Sequence, residues 1–151
     1  MDLAEASVAY AKSQVGIEEH PRGSNAGPEV DRYLAYVGKP PALAWCAAFV
    51  SYCIGTSAAD ISTTSTLQPS AGALALYFKN HPLAIDQPTD RCVGIIDHGK
   101  GLGHAFFIET TDGTTCHTIE GNTDPAGGRE GYMVAERDRP AADITYFLRI
   151  E

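Results

Sequence analysis

The chain has no apolar run long enough to cross a bilayer. Its first residues, MDLAEASVAYAKSQVG, hold two early acids and no basic stretch ahead of an apolar core. The first absence speaks against membrane insertion and the second against a secretory signal peptide. The expectation is synthesis in the cytoplasm, with action elsewhere requiring release or export by another route. Basic residues are scarce: 11 Lys and Arg stand against 19 Asp and Glu, a net charge of −8. No basic stripe is available to neutralise phosphates, which excludes nucleic acid as a partner. The same balance gives no attraction to anionic membranes or anionic wall polymers. There are only four cysteines, at 46, 53, 92 and 116, and their spacings match no zinc or redox template. Cys46 and Cys53, if on one helix, stand ~10 Å apart along its axis, too far for a disulfide. Cys92 and Cys116 lie on segments that can meet as neighbouring strands. Repeats, linkers and low-complexity tracts are also missing, so residues 1–151 read as a single domain.

What is present divides into two blocks. LAEASVAYAKSQVG has helical spacing and a stop at Gly16, and PEVDRYLAYVG starts on Pro28 and ends at Gly38. After the breaker KPPAL, a segment from Trp45 to about Thr56 is apolar nearly all round, the pattern of a buried central helix. SAGALALYFKNHP is a further helix closed by Pro82. Beyond it the period changes. RCVGIID, GHAFFIETT, TTCHTIEGN, GYMVAERDR and DITYFLRI are short strand-like runs separated by turn residues. The predicted fold class is α+β, with N-terminal helices and a central buried helix packed on a C-terminal antiparallel sheet.

The central helix opens on a thiol. In the first turn, unpaired backbone N–H groups and the helix dipole favour an anion, and that lowers a cysteine pKa. Cys46 is therefore a candidate nucleophile, whereas Cys53, Cys92 and Cys116 read as small packing residues. A nucleophilic thiol needs a base, and the base needs an orienting group. His20 and His81 sit beside prolines, His98 lies in the loop DHGKG, and His117 faces away from Cys116 and Glu120. His104 opens a strand after a glycine-rich turn and is the candidate base. Its relation to Glu120 depends on the hairpin around Asp112-Gly113. A two-residue turn pairs His104 with Gly121 and sends Glu120 to the other face. A three-residue loop pairs Thr110 with Thr114, hence His104 with Glu120, and puts Asn122 on the same face. The chemistry requires the second register; the sequence is compatible with both.

WCAAFVSYC, GHAFFIE, and TIEGNT followed by GREGYMVAERDR resemble the CHAP domains (cysteine, histidine-dependent amidohydrolases/peptidases) and their NlpC-type relatives. These are papain-like peptidoglycan hydrolases. GSNAGPEVDRYLAYVG also resembles a segment common in bacterial and phage members, so the likeness runs from about residue 16 to the C-terminus. It implies a papain-like fold with Cys46 as nucleophile, His104 as base and Glu120 as orienting acid, accompanied by Asn122. It further implies hydrolysis of an amide in peptidoglycan, at the N-acetylmuramoyl–L-alanine bond or within the stem or cross-bridge, without a cofactor. Asn25, Trp45, Asp97 and Gly103 are the expected substrate-binding positions. Asn25 equally suits a capped loop entering the next helix, and Trp45 equally suits the core. Some phage members carry an acidic calcium cluster ahead of the cysteine; VGKPPALAW has no acids, so no metal is expected. Two alternatives accompany the lysis reading: a secreted antibacterial effector with the same chemistry and a cognate immunity protein, and a non-catalytic wall-peptide-binding module.

Overall fold

The computed structural model describes residues 1–126 and 131–151, so the GRE of the GREGYMVAERDR segment lies outside the described residues. Those residues form four α-helices and a six-stranded antiparallel sheet. Helix α1 (Leu3–Ser13) starts where Asp2 accepts the Glu5 N–H at 2.8 Å, an N-cap that satisfies one orphan donor. Helix α2 (Pro28–Tyr36) follows the positive-φ Gly27 and begins on proline, whose fixed φ suits that position. Helix α3 (Cys46–Asp60) runs about one turn further than the sequence suggests, because Ser57 and Ala58 are also buried. Helix α4 (Ala73–Lys79) passes into a 3-10 turn, His81–Leu83, built around Pro82.

Strands β1 (Ala84–Ile85), β2 (Cys92–Gly99), β3 (Leu102–Thr111), β4 (Thr115–Thr123), β5 (Met133–Pro140) and β6 (Tyr146–Leu148) assemble in the order β1-β6-β2-β3-β4-β5. β2 to β5 form a meander, and the sequence foreshadows it. The last strand departs from hairpin logic, crossing back to pair with β2 and β1. The two-residue β1 is too short for any periodicity to reveal. Helices α1, α3 and α4 pack over one face, whose core includes Val93, Ile95, Ala105, Phe107 and Ile119. The alternate residues Cys92, Ile96, Phe106, Ile108 and Cys116 point to the other face. There Ile144 and Phe147, carried by the crossing segment, cover them in a second, smaller core. Both faces of β2 and β3 are thus apolar, which explains their nearly continuous hydrophobic runs. All four cysteines are free and buried, Cys92 and Cys116 included.

The β3–β4 hairpin has neither of the two predicted registers. Thr111 pairs with Cys116, leaving the four-residue loop Asp112–Thr115, where Asp112 Oδ1 accepts the N–H groups of Thr114 and Thr115, each at 2.8 Å. Glu109 is then bulged out of β3, and the ladder resumes as Ile108–Thr118 and Phe107–Ile119. Continued toward the strand ends, this register sets Glu120 level with Phe106 and His104 level with Asn122. His104 and Glu120 still share a face, as diagonal rather than direct neighbours.

Gly121 lets α3 approach the sheet. A Cβ there would lie 2.8 Å from the rings of both Trp45 and Phe49. Gly121→Ala is therefore expected to destabilise the fold by ~1–3 kcal/mol through overpacking, measured as a lowered denaturant midpoint with unchanged slope. An unchanged midpoint would mean that the two rings yield freely.

Candidate active site

Cys46 is the first residue of α3, following Trp45 at the N-cap. Tryptophan has no side-chain acceptor to cap the first turn, and the sulfur takes part of that role by accepting the Ala47 N–H. It also accepts the Ala105 N–H of β3. The β3–β4 ladder stops at Phe107–Ile119, so this strand end is free to turn its N–H toward the helix. Two backbone donors and an imidazole thus converge on one sulfur.

That imidazole belongs to His104. Its Nε2 lies 2.9 Å from Glu120 Oε1, and its side chain is 13% exposed. With Nε2 engaged, Nδ1 is the nitrogen left for the hydrogen bond with Cys46. Glu120 is fully buried, yet its two oxygens accept five hydrogen bonds. Thr118 Oγ1 donates to Oε2 at 2.6 Å and Thr123 Oγ1 to Oε1 at 3.1 Å. Arg139 completes the set as a fork, Nε on Oε2 at 2.6 Å and Nη2 on Oε1 at 2.8 Å. The guanidinium also lies over the Phe106 ring, 5.3 Å from its centroid. Sequence reasoning missed Arg139. A signal was available: a buried carboxylate on β4 requires a cation, and the arginines of ERDR lie on the strand predicted next.

Asn122, expected to accompany the acid, makes no hydrogen bond with His104. Gly121 and Asn122 together oppose a single residue of β5, and Asn122 takes a left-handed φ of +54°. Its role is to turn the backbone at this bulge, a conformation asparagine tolerates better than most residues. Trp45 is likewise corrected. It is fully buried, stacks on Tyr33 with ring centroids 5.8 Å apart, and donates its indole N–H to Glu19 Oε2 at 2.8 Å. Glu19, also buried, accepts the Gly23 N–H with its other oxygen at 2.9 Å. Trp45 does not line the groove at Cys46 and His104; it ties the 19–27 loop to the start of α3. Asp97 is exposed, accepts the Gly99 N–H at 2.8 Å and is not among the residues lining that groove.

Cys46 and His104 open onto a groove enclosing about 830 Å³. Asn25 and Ala44 line it on the helical side, His98, Lys100, Leu102 and Gly103 along the β2–β3 turn, and Asn122 to Asp124 with Arg137 and Arg139 on the far side. Of the expected substrate-binding positions, Asn25 and Gly103 line the groove. The sequence search did not select Lys100, Arg137 or Arg139. Comparison with protein-family models, curated proteins and solved structures gave no match.

The site's electrostatics follow from its packing. Burial pushes the Cys46 thiol up, but its hydrogen bond to His104, the imidazolium charge and the two backbone donors outweigh this and hold it below the ordinary thiol value. Burial pulls His104 down, whereas hydrogen bonds and charges of Cys46 and Glu120 raise it to about 9. Burial likewise opposes the Glu120 charge, but Arg139 and His104 hold its carboxyl well below the usual carboxylate range. The three shifts all favour the charged forms: a thiolate, an imidazolium and a carboxylate in line. Burial alone pushes Cys53 well up, and Cys92 is pushed up to about 11. At pH 7, iodoacetamide should therefore label Cys46 well before Cys53 or Cys92, as read by peptide mass mapping. His104→Ala should slow the Cys46 reaction about tenfold or more by restoring the thiol. Equal labelling of these cysteines in the wild-type protein would refute the ion pair.

Proposed function

We propose that the chain is a cysteine amidohydrolase of papain-like organisation that cleaves an amide bond in peptidoglycan. One observation carries the reading: a thiol at a helix N-terminus lies beside an imidazole that is hydrogen-bonded to a buried carboxylate, and thiol and imidazole open onto one groove. Separate roles for packing would not require the three to be linked. The peptidoglycan assignment adds the likeness of the WCAAFVSYC, GHAFFIE and TIEGNT segments to wall hydrolases.

In this mechanism the Cys46 thiolate attacks the scissile carbonyl. The developing oxyanion is met by the Cys46 N–H, which as the first amide of α3 has no intrahelical acceptor. His104 Nδ1 gives its proton to the leaving amine, producing a thioester between Cys46 and the acyl fragment. A water then enters, His104 accepts its proton, and the thioester is hydrolysed to release the carboxylic acid and restore the thiolate–imidazolium pair. Glu120 holds the ring tautomer throughout and remains ionised, because Arg139 fixes its charge.

Cys46→Ser should abolish release of soluble fragments from purified peptidoglycan with little change in thermal stability, and His104→Ala should lower turnover by roughly 10²–10⁴-fold. Turnover that survives Cys46→Ser would refute the nucleophile assignment. The pH profile has a definite sign. Because His104 is raised to about 9, the proton needed by the leaving amine is lost as pH climbs through that value. Activity, read as kcat/KM, should fall on the alkaline side near 9. On the acid side it should fall only below the ordinary thiol value, where Cys46 takes up a proton.

A further inference from the structure

The groove is lopsided in charge. On a chain of net charge −8 it is lined by Lys100, Arg137 and Arg139, and Asp124 is the only carboxylate among the described lining residues. Asp124 is directed at its own turn, accepting the Ala126 N–H at 2.9 Å. The two arginines differ in what they do. Arg139 is committed, with both arms of its fork on Glu120. Arg137 lies two residues before it on the same face of β5, opposite Thr118. One of its nitrogens, Nη1, reaches Thr123 Oγ1 at 3.4 Å, and it forms no salt bridge among the described residues. A guanidinium carries five N–H donors in a rigid fork. The contact with Thr123 steadies Arg137 and leaves most of those donors to the groove. The same threonine donates to Glu120 Oε1, so Arg137 stands two hydrogen bonds from the carboxylate that orients His104.

Resting on the hydrolase reading above, we infer that Arg137 reads a free carboxylate on the substrate, so that the groove takes a peptide bearing an uncapped acid beside the scissile amide. An arginine fork matches a carboxylate bidentately and at short range. It matches the corresponding carboxamide poorly, because the amide nitrogen is itself a donor and the charge is gone. Lys100 on the facing turn adds field without geometry. The basic lining of the groove favours an acidic peptide on a chain whose net charge of −8 opposes one.

The test uses two synthetic muropeptides, N-acetylmuramoyl-L-Ala-γ-D-Glu-L-Lys-D-Ala amidated at the C-terminus in both, with the glutamyl α-carboxylate free or amidated. Turnover is measured with wild-type protein, and binding by calorimetry with Cys46→Ala. The free acid should be favoured about 10- to 100-fold in both readouts. Arg137→Gln should bring the acid-to-amide ratio to near one, whatever loss is common to both peptides, and Arg137→Lys should restore part of the preference. Equal handling of the two peptides by the wild-type chain overturns the inference, as does a preference that survives in Arg137→Gln. Should either variant fail to fold, the wild-type comparison still decides. A preference in binding with no turnover of either peptide would support Arg137 as reader and count against the hydrolase; turnover with no preference would do the reverse.

Discussion

A carboxylate with no solvent contact has to be surrounded by donors, and Glu120 obtains them from three strands. His104 comes from β3, Thr118 and Thr123 from β4 itself, and Arg139 from β5. Desolvating an ion costs several kcal/mol unless its partners are nearly ideal, so the register of these strands is coupled to one side chain. A slip of one residue in either ladder would turn His104 or Arg139 to the opposite face and leave a buried charge unpaired. Burial of Glu120 thus does for the sheet edge what an apolar core does elsewhere. It selects one arrangement by making the neighbouring ones expensive.

The two bulges make sense in that light. Glu109 takes up the residue by which the four-residue Asp112–Thr115 loop would otherwise misalign the faces, so that His104 and Glu120 still point the same way. Gly121 and Asn122 do a related job between β4 and β5, ending regular pairing where the groove begins. Both irregularities lie between regular pairing and the candidate site, where bulges commonly redirect side chains. The imidazole is then held from both sides. Glu120 fixes Nε2, Cys46 engages Nδ1, and each partner stabilises the protonated ring against the cost of burying it.

Sequence patterning carried the α+β order, the meander from β2 to β5 and the buried α3, and it singled out Cys46, His104 and Glu120 as candidates without fixing how the last two meet. These follow from period, breakers and residue chemistry, which are local. What was not legible depends on distant partners. The hairpin register could not be read, because Asp112-Gly113 suits several loop lengths and the bulge at Glu109 leaves no mark in an alternating strand. Asn122 was read for its side chain when its backbone was the reason for its presence. Trp45 stood next to the nucleophile and invited a binding role, but its single N–H donor had a buried acceptor 26 residues upstream, in a segment that reads only as loop. Arg139 is not marked by local pattern: it is required only once Glu120 is known to be buried and in need of a cation.

The start of α3 shows how packing and chemistry are reconciled at one residue. An N-cap normally supplies a side-chain oxygen to the first turn, and Trp45 cannot. Its bulk instead wedges the helix end between Tyr33, Phe49 and the bare backbone of Gly121, and its N–H is satisfied by Glu19. The first-turn amides are left to serve an anion, and the anion provided is the Cys46 sulfur. A serine or aspartate at position 45 would cap the helix better by itself, yet it would compete for the Ala47 N–H that holds the thiolate. The tryptophan therefore gives up a local interaction so that the sulfur can keep it, and the aromatic core makes up the lost stability.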